Sequence, residues 1–365
     1  MKKVLIVITT AFVPWGGLTT VMMNYYRAMD KSRMQIDFAA CNAAPASLTD
    51  ELLQNGSRYM QLSSRKKHTV QYVRDLCRIL KQERYDVVHI HGNSATMLIE
   101  LLPAWFLGVK KRIAHVHTTK SDYRLANAVI KAPMNLLANV RLAVSKEAGH
   151  YLYGNRKFQV LRNAIDTSKY QFNKDSRLRC RKEWEISDSD YVVGTVGKMY
   201  EPKNQLFLVE AFSKVLDRLP DAKLMLVGDG VLRQKIEDKI KELGITDSCI
   251  LTGMKENATD FLSAMDCFVF PSFYEGFGLA LLEAQASGLY AICSENISEE
   301  VMATDLCVVK LLDNQDEWVE QICSFQEQIS SSGRVERSEA AVRQIENKNL
   351  EIRKQADRLR EIYIR

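Results

Sequence analysis

Short apolar runs alternate with longer amphipathic stretches along this chain of 365 residues. Short apolar runs bounded by turn residues are typical of buried strands, whereas apolar residues three and four positions apart are typical of helices. The predicted strands cover 3–8, 35–39, 87–90, 113–116, 141–144 and 159–161 in the first half and 191–196, 223–227, 249–252, 267–270, 290–293 and 306–309 in the second. Strands that alternate with helices form parallel, doubly wound sheets. The pattern predicts an α/β fold with two Rossmann-like domains.

The domain boundary is predicted near residue 170. Residues 170–190 are polar and then helical, without a strand signal, and suit a connection between domains. We therefore expect a first domain over 1–170 and a second over 171–345. The charged stretch 334–365 has a helical apolar period and predicts either a packed terminal helix or a solvated coiled segment.

Two apolar segments could be mistaken for membrane or export signals. The opening MKKVLIVITTAF imitates a signal peptide, but the run is short and no A-x-A site follows, so we expect a first strand. No apolar run reaches 18 residues, which argues against a membrane span. Residues 97–109, MLIELLPAWFLGV, could lie at a membrane interface, but a buried helix between strands is the favoured interpretation.

The net charge of +5 conceals a strong asymmetry. Residues 1–170 carry 25 Lys and Arg against 11 Asp and Glu, whereas residues 171–365 carry 25 against 34. Basic clusters at 65–67, 110–112 and 156–157 could hold the protein on an anionic membrane surface, or could be ordinary solvated faces. Nucleic acid is not an expected partner, because no known reader motif accompanies the charge. Eight cysteines without a C-x-x-C pair suggest reduced core residues of a cytoplasmic protein.

Two glutamates eight positions apart, Glu275 and Glu283, flank a glycine-rich turn in the segment FPSFYEGFGLALLEAQASG. The turn lies between a predicted strand and a predicted helix, where open α/β sheets bind ligands and where free N–H groups attract an anion. Gly276 and Gly278 allow the backbone to approach a ligand closely. One carboxylate near a sugar, N–H groups on a phosphate and a second carboxylate on a ribose describe a nucleotide-sugar site. The alternative is two solvated charges at a helix end.

A second strand-to-helix turn, 197–204, has the sequence GKMYEPKN. Lys198 and Lys203 lie five positions apart just before a predicted helix, so both could reach a diphosphate together with the backbone N–H groups. Exposed lysines without a ligand are the alternative.

The glutamate segment resembles the E-x7-E signature of glycosyltransferase family 4, whose members are retaining enzymes with the GT-B fold. Further matches follow in order along the chain. Residues 197–204 resemble the family's G-R-x-x-x-x-K-[GN] stretch, with Lys198 in place of arginine, so the charge is kept but the bidentate geometry is lost. The resemblance spans nearly the whole chain and implies two domains facing across a cleft, with a last helix, about 346–365, returning to the first domain.

The resemblance also implies roles for individual residues. Glu275 would orient the donor sugar, Glu283 would bind the ribose, and Lys198 and Lys203 would hold the pyrophosphate. The remaining donor-binding residues that it implies are Gly16, Gly17, Asn204, Met254, Gly276, Phe277, Gly278 and Leu279.

Four of the six histidines form two H-x-H pairs, His89 with His91 and His115 with His117. Residues two apart in a strand share a face, so either pair could bind a metal, but the residues that follow His91 supply no further ligand. We therefore expect no metal and no cofactor. His89 and His115 suit structural positions at strand ends, and His117 resembles the family histidine that contacts the donor sugar near the reacting carbon.

The function implied is transfer of a sugar from a nucleoside diphosphate, with UDP preferred on family frequency, to a hydroxyl of an acceptor. The segments GGLTTVMMNYYRAMDKSRMQIDF and HIHGNSATMLIELL resemble the subgroup of bacterial capsular and exopolysaccharide enzymes. That subgroup implies a lipid-linked glycan acceptor at the cytoplasmic face of the membrane. A GT-B chain that has lost activity and serves as a binding partner is the alternative. A dehydrogenase is disfavoured because G-x-G-x-x-G is missing from the first turn, and a sugar phosphorylase or epimerase on the same fold remains open.

Overall fold

A computed structural model describes residues 1–14, 16–118, 124–255, 257–329 and 333–365. The chain forms two compact units. Unit 1 comprises Met1–Ala164 together with Ile352–Arg365, and unit 2 comprises Ile165–Glu351. The divisions thus fall a few residues before and after the expected positions, 170 and 345, because the helices next to each expected boundary pack on unit 2.

All strands fall close to their predicted positions, with one addition in the first half. In chain order they are β1 Lys2–Ile8, β2 Met34–Ala40, β3 Tyr59–Gln61, β4 Val87–Gly92, β5 Lys111–Val116, β6 Val140–Ala143, β7 Gln159–Val160, β8 Val192–Val196, β9 Lys223–Val227, β10 Cys249–Gly253, β11 Cys267–Phe270, β12 Tyr290–Ser294 and β13 Cys307–Lys310. The prediction missed β3 because a three-residue edge strand leaves almost no period to detect.

Helices connect most of these strands. In chain order they are α1 Gly17–Ala28, α2 Ala46–Gln54, α3 Thr69–Glu83, α4 Leu98–Phe106, α5 Arg124–Leu137, α6 Lys146–Tyr153, α7 Thr167–Tyr170, α8 Lys174–Glu183, α9 Gln205–Leu216, α10 Arg233–Glu242, α11 Thr259–Ala264, α12 Leu279–Ala286, α13 Gln315–Gln328, α14 Arg334–Asn347 and α15 Ile352–Ile364. No described helix is both long enough and apolar enough to cross a bilayer.

Unit 1 is built on a parallel sheet with the strand order β3-β2-β1-β4-β5-β6-β7. Alternate residues of each strand face opposite sides of the sheet. On β4, Val88 and Ile90 join the core under α3, α4 and α5, so His89 and His91 point to the other side, where Tyr363 of α15 contacts His89. The expected first strand is confirmed as β1, which lies in the middle of this sheet.

Unit 2 has a second parallel sheet, in the order β10-β9-β8-β11-β12-β13. The chain builds outward from β8 to β10 and then returns to the other side of β8 with β11. This is the strand order of a Rossmann fold. Helices α9, α10 and α13 pack on one face, and α11, α12 and α14 pack on the other.

The prediction that residues 170–190 form a connection between the domains is wrong, because this region is an integral part of unit 2. Helix α8 packs against α11, and its Arg181 is almost fully buried. Arg181 Nη2 donates to Asp266 Oδ2 at 2.6 Å, and the backbone N–H of Val192 donates to the same oxygen at 2.8 Å. A single carboxylate thus ties α8 to the start of β8. The stretch looked like a linker because its polar residues are satisfied internally, which a sequence pattern does not reveal.

The C-terminal stretch forms two helices rather than one. Helix α14 packs against α12 in unit 2, whereas α15 packs against α1 in unit 1. Between them, Ile165 N donates to Leu350 O at 3.1 Å, beside a parallel bridge from Ile165 to Glu351. The last turn of the chain, with Tyr363 buried, therefore completes the helical layer over β1.

We predict that Asp266→Asn destabilises the fold by about 3 kcal/mol, because breaking a buried ion pair leaves the partner charge uncompensated. Arg181 would keep its hydrogen bonds to the carbonyl oxygens of Ala264 and Ser187 but lose its counter-ion. Urea denaturation followed by circular dichroism measures the change.

The matched control is Asp316→Asn, which removes the carboxylate of an exposed pair with Lys214. Exposed pairs contribute little, so this variant should unfold close to the wild-type midpoint. Equal midpoints for the Asp266 and Asp316 variants would contradict a structural role for the buried pair.

Candidate functional site

Strand order in unit 2 reverses between β8 and β11, which are neighbours in the sheet. Ligands of open α/β sheets bind at the carboxyl ends of strands where such a reversal occurs, because the two loops there lead to different sides of the sheet and leave a crevice between them. The two loops are 197–204, after β8, and 271–278, after β11. They are the two turns that the sequence singled out.

The two loops are fastened to each other by hydrogen bonds. The N–H of Phe273 donates to the carbonyl oxygen of Pro202 at 2.8 Å. The side-chain amide of Asn204 donates to the carbonyl oxygen of Pro271 at 3.2 Å. Asn204 has a φ of +53° at the start of α9, a left-handed conformation that asparagine tolerates better than most residues. Asn204 therefore both ends one loop and holds the other.

An ion pair between Lys203 and Glu275 lies where the two loops meet. Ser272 Oγ also donates to Glu275 Oε1, at 3.0 Å. The Lys203 ammonium group lies 4.8 Å from the centre of the Phe270 ring, which adds a cation–π contact. The predicted pyrophosphate lysine and the predicted sugar carboxylate thus share one partly buried cluster. Ser272 was missed as a member, although the FPS motif was part of the family resemblance.

Helix α12 begins directly after this cluster. Gly278 has a φ of +91° at its N-cap, a conformation that L-residues rarely adopt, and no side chain caps the helix. The N–H groups at the start of the helix, from Leu279 on, are thus not taken by a capping side chain, and groups of this kind can bind an anion. Phe277 is buried under the turn, and Gly276 is exposed.

Glu283 lies inside α12 and is almost fully buried. Burial raises the pKa of its carboxyl group, while a hydrogen bond with Tyr170 and the charges of Lys169 and Lys203 act in the opposite direction. Lys203 is thus paired with Glu275, and its charge also acts on Glu283. Glu283 is therefore not the solvated charge at a helix end that the alternative interpretation expects.

The other predicted donor residues of unit 2 lie on the rims of these loops. Lys198 is exposed, and its carbonyl oxygen accepts a hydrogen bond from Gln205 at 3.1 Å. Met254 follows β10, which is the edge strand next to β9. The side chain of Met254 is exposed. Neither side chain is drawn into the cluster around Lys203.

In unit 1 the strand order reverses between β1 and β4, and the predicted glycines lie in the loop after β1. Gly16 is the N-cap of α1, which no side chain caps. A Cβ at Gly16 would lie 3.2 Å from both Thr19 Oγ1 and Val13 O, whereas a Cβ at Gly17 would meet no atom within 4 Å. The tight position is therefore Gly16, and Gly17 borders open space.

The two H-x-H pairs meet, because β4 and β5 are adjacent and His91 lies opposite His115 in register. His89 Nε2 lies 3.2 Å from His115 Nδ1, and His91 Nδ1 lies 2.9 Å from His117 Nε2. His89 Nδ1 also lies 2.6 Å from the Tyr363 hydroxyl group. Considering each pair alone, sequence reasoning missed that the four rings form one buried cluster.

Ring nitrogens of His89, His91 and His115 all lie within 4.8 Å of one another, which is close enough for a shared metal ion. The rings are nevertheless arranged as two hydrogen-bonded couples lying one over the other, with centroids of His89 and His91 4.0 Å apart. His115 Nε2 and His117 Nδ1 are buried and find no hydrogen-bond partner among the described residues. His117 therefore offers one free ring nitrogen.

Burial lowers the pKa of all four rings. The pKa of His117 falls to about 3, and those of His89, His91 and His115 fall well below 6.5, with repulsion between neighbouring rings adding to the effect of burial. All four imidazoles are consequently neutral at physiological pH. A neutral His117 can donate or accept a hydrogen bond, but it cannot supply a positive charge.

Comparison with known families matches both units. The profile described as "Glycosyltransferase Family 4" matches residues 15–169, and the one described as "Glycosyl transferases group 1" matches residues 190–328. The chain is 31% identical over 301 residues to the "Putative glycosyltransferase EpsF" of Bacillus subtilis (strain 168), covering 79% of this chain and 78% of the relative. The chain belongs to glycosyltransferase family 4. The family resemblance inferred from the E-x7-E segment is confirmed.

Two further similar proteins have a lower sequence identity to this chain. A "UDP-Gal:alpha-D-GlcNAc-diphosphoundecaprenol alpha-1,3-galactosyltransferase" from Escherichia coli is 27% identical over 233 residues, which cover 60% of this chain and 58% of the relative. The crystal structure of Anabaena Alr3699/HepE in complex with UDP and glucose superposes with a TM-score of 0.79 over 99% of both chains, at 14% identity. At that identity the likeness shows the fold, and the predicted GT-B class with two Rossmann-like domains is confirmed.

The buried histidine cluster should make this glycosyltransferase labile to acid. Each ring has a lower pKa in the folded state than its usual 6.5, so below pH 6.5 the unfolded chain binds protons that the folded protein does not. The contribution of the neutral rings to stability is complete above pH 6.5 and is lost as the pH falls below that value. We expect the free energy of unfolding to fall by up to about 1.4 kcal/mol per pH unit for each ring. Urea denaturation between pH 7.5 and 5 measures the slope.

His89→Gln should reduce this slope, because one buried ring no longer has to remain neutral. The control is His68→Gln, which changes an exposed histidine at the start of α3. If the His89 variant kept the full wild-type slope, the acid lability would come from elsewhere in the chain.

Proposed function

We propose that this protein is a retaining glycosyltransferase that moves a sugar from a nucleoside-diphosphate donor to a hydroxyl group of a glycan. The observation that carries the proposal is the cluster of Lys203, Glu275 and Ser272 at the strand-order reversal of unit 2. It combines a cation for phosphate, a carboxylate for sugar hydroxyls and an uncapped helix start. Few ligands other than a nucleoside-diphosphate sugar need all three of these groups at once.

The donor binds to unit 2 in this proposal. Lys203 and Lys198 bind the diphosphate, together with the N–H groups at the start of α12, from Gly278 and Leu279. Glu275 accepts hydrogen bonds from the donor sugar, held in place by Ser272 Oγ. Glu283, directed to the interior of the unit, binds the ribose. Because Lys203 pairs with Glu275 before the donor arrives, both side chains are already ordered and lose little rotamer entropy on binding.

Departure of the diphosphate develops negative charge, and the site supplies positive charge through its own groups. Both lysines belong to the loop after β8. Helices α9 and α12 have their N-terminal, partly positive ends at the two loops of the site. Such preorganised groups stabilise a leaving phosphate without a bound metal. We therefore propose a reaction that requires neither a metal ion nor another cofactor.

In unit 1, we propose Gly16, Gly17 and His117 as further site residues. His117 Nε2 is hydrogen-bonded to His91, its Nδ1 has no partner among the described residues, and the ring is neutral. It can therefore bind a sugar hydroxyl near the reacting carbon but does not compete with the lysines for phosphate. Retention of configuration follows if the leaving phosphate accepts the proton of the acceptor on the same face, so no separate general base is required.

The proposed acceptor is a lipid-linked glycan of bacterial capsule or exopolysaccharide synthesis, at the cytoplasmic face of a membrane, and the proposed carrier is UDP. The name of the Escherichia coli relative contains both a UDP-sugar and a diphosphoundecaprenol-linked sugar. The sequence resemblance to capsular and exopolysaccharide enzymes supports the same class of acceptor.

Nucleotide binding tests the donor site directly. We expect UDP to raise the melting temperature of the wild-type protein more than GDP or ADP does. Lys203→Ala should weaken UDP binding about tenfold to a hundredfold, because hydrogen bonds to charged groups contribute roughly 1.5–3 kcal/mol. Isothermal titration calorimetry gives the affinities.

Lys214→Ala, which removes an exposed lysine of α9 outside the two loops, serves as the control and should bind UDP normally. The comparison uses ligand-induced shifts, since Lys203→Ala also leaves Glu275 without its counter-ion. A folded wild-type protein that no nucleotide stabilises would contradict the donor site and would favour a binding partner without activity.

Turnover tests the chemistry. We expect release of UDP from a UDP-sugar in the presence of a lipid-linked acceptor to be unchanged by EDTA, and the product to keep the anomeric configuration of the donor by NMR. Loss of activity in EDTA that added Mg²⁺ or Zn²⁺ restores would refute the metal-independent reaction. An inverted product would refute retention.

A further inference from the structure

Helices α3, α4 and α5 cover one face of the unit 1 sheet side by side. Their inward residues, among them Leu76, Leu101 and Met134, belong to one core with alternate residues of the strands. Adjacent helices contact each other in the order α3, α4, α5. Their outward sides therefore form a continuous surface of three helices.

The exposed residues of α4, and those of α5 from residue 129 on, are apolar. On α4, Leu102, Trp105 and Phe106 are 50%, 51% and 80% exposed, and on α5, Val129 and Leu136 are 77% and 76% exposed. The spacing i, i+3, i+4 on α4 and i, i+7 on α5 places each set on one side of its helix. The exposed positions between them on α5 are Ala132 and Pro133. The expectation that residues 97–109 form a buried helix is thus wrong for its outer side.

Such a surface is unusual for a helix that faces water, where charged residues are normal. Unit 2 provides the comparison within the same chain. All exposed residues of α9 and α10 are polar or charged, namely Glu210, Lys214, Gln234, Lys235, Asp238, Lys241 and Glu242. The outward apolar face of α4 and α5 therefore requires an apolar partner.

Basic residues border the apolar face. The outward side of α3 carries Arg74, Arg78 and Lys81, at helical spacing. At the other end, Arg112 donates to the carbonyl oxygens of Val109 and Leu137, at 2.6 and 2.8 Å, which places the basic cluster 110–112 where α4 and α5 both end. The cluster 65–67 lies near the start of α4, since Arg65 binds Thr96 O at 2.7 Å.

Acidic residues are few on these helices, and the two of α3, Asp75 and Glu83, are partly buried and paired with Arg78 and Arg58. No described exposed residue of α3, α4 or α5 is acidic, and the one acid of α4, Glu100, is buried and paired with Arg65 at 2.6 Å. The surface thus combines an apolar centre, a tryptophan and a border in which the exposed charged residues are cations. A bilayer of anionic lipids has the matching chemistry, with acyl chains below a layer of negative headgroups.

We propose that the outward face of α3, α4 and α5 binds the surface of an anionic lipid bilayer, with Trp105 and Phe106 inserted at the level of the headgroups and the basic border on the lipid phosphates. A second copy of the chain would bring two positively charged borders together, which disfavours a symmetric dimer through this face. The proposal extends the proposed function by naming the surface that would hold the enzyme where a lipid-linked acceptor lies.

Flotation with lipid vesicles tests this interaction. We expect the full chain to float with vesicles of phosphatidylglycerol and phosphatidylcholine and to remain unbound with phosphatidylcholine alone. Binding should weaken as sodium chloride increases, because salt screens the basic border. The fluorescence of Trp105 should shift to shorter wavelength on binding, and Trp105→Phe should abolish the shift.

Two sets of variants separate the apolar and basic contributions. Phe106→Ser should weaken vesicle binding by at least about tenfold, since a buried phenylalanine contributes roughly 1.5–3 kcal/mol. Arg74→Gln and Arg78→Gln should each weaken it about fivefold, at about 1 kcal/mol per charge. The controls are Leu311→Ser and Lys235→Gln, exposed residues of unit 2, which should leave vesicle binding unchanged.

Several outcomes would overturn the proposal. They are equal binding to both kinds of vesicle, no binding at all, or variants of the face that bind like the controls. Dimerisation that Phe106→Ser abolishes, measured by light scattering, would assign the face to a second copy instead. Nucleotide-induced stabilisation of the same samples without vesicles reports on the donor site independently, so failure at the membrane is distinguishable from failure of the proposed function.

Discussion

All strands of each sheet run in one direction, and this constraint brings every strand-to-helix loop of a unit to one edge. In unit 2 the reversal between β8 and β11 places two such loops side by side. Lys203 ends one and Glu275 lies in the other, 72 residues away, and the two meet as an ion pair. Close backbone packing holds the first loop in place, since a Cβ at Gly230 would lie 2.3 Å from Met199 O. The candidate site of the unit depends on this arrangement.

Unit 1 uses the same topology but buries its ionisable groups differently. Four imidazoles lie on one side of β4 and β5, and burial keeps them neutral. The energetic cost of burying these rings is offset by hydrogen bonds within the cluster and to Tyr363, which comes from the last helix of the chain. The C-terminal helix therefore contributes to the interior of unit 1 through the contact of Tyr363 with His89.

The two faces of the unit 1 sheet are covered by different helices with different surroundings. One side encloses the histidine cluster under α1 and α15, and the other carries three helices whose outward surface is apolar with a basic border. The excess of Lys and Arg in the first 170 residues is thus not spread evenly, because a large part of it borders this surface. Part of the charge asymmetry between the two halves of the chain is thus found beside the exposed apolar helices.

The sequence by itself determined every described strand except β3, the α/β class, the family and the two turns that form the candidate site, because period and short motifs are local properties. Tertiary structure alone decided which distant residues meet. The pairing of Lys203 with Glu275, the meeting of His91 with His117 and the burial of Arg181 in an apparent linker all depend on strand order and register. Likewise the apolar period of α4 shows which residues share a side, but whether that side faces a core or solvent depends on what packs against it. Local pattern specifies the elements, and long-range packing assigns their partners.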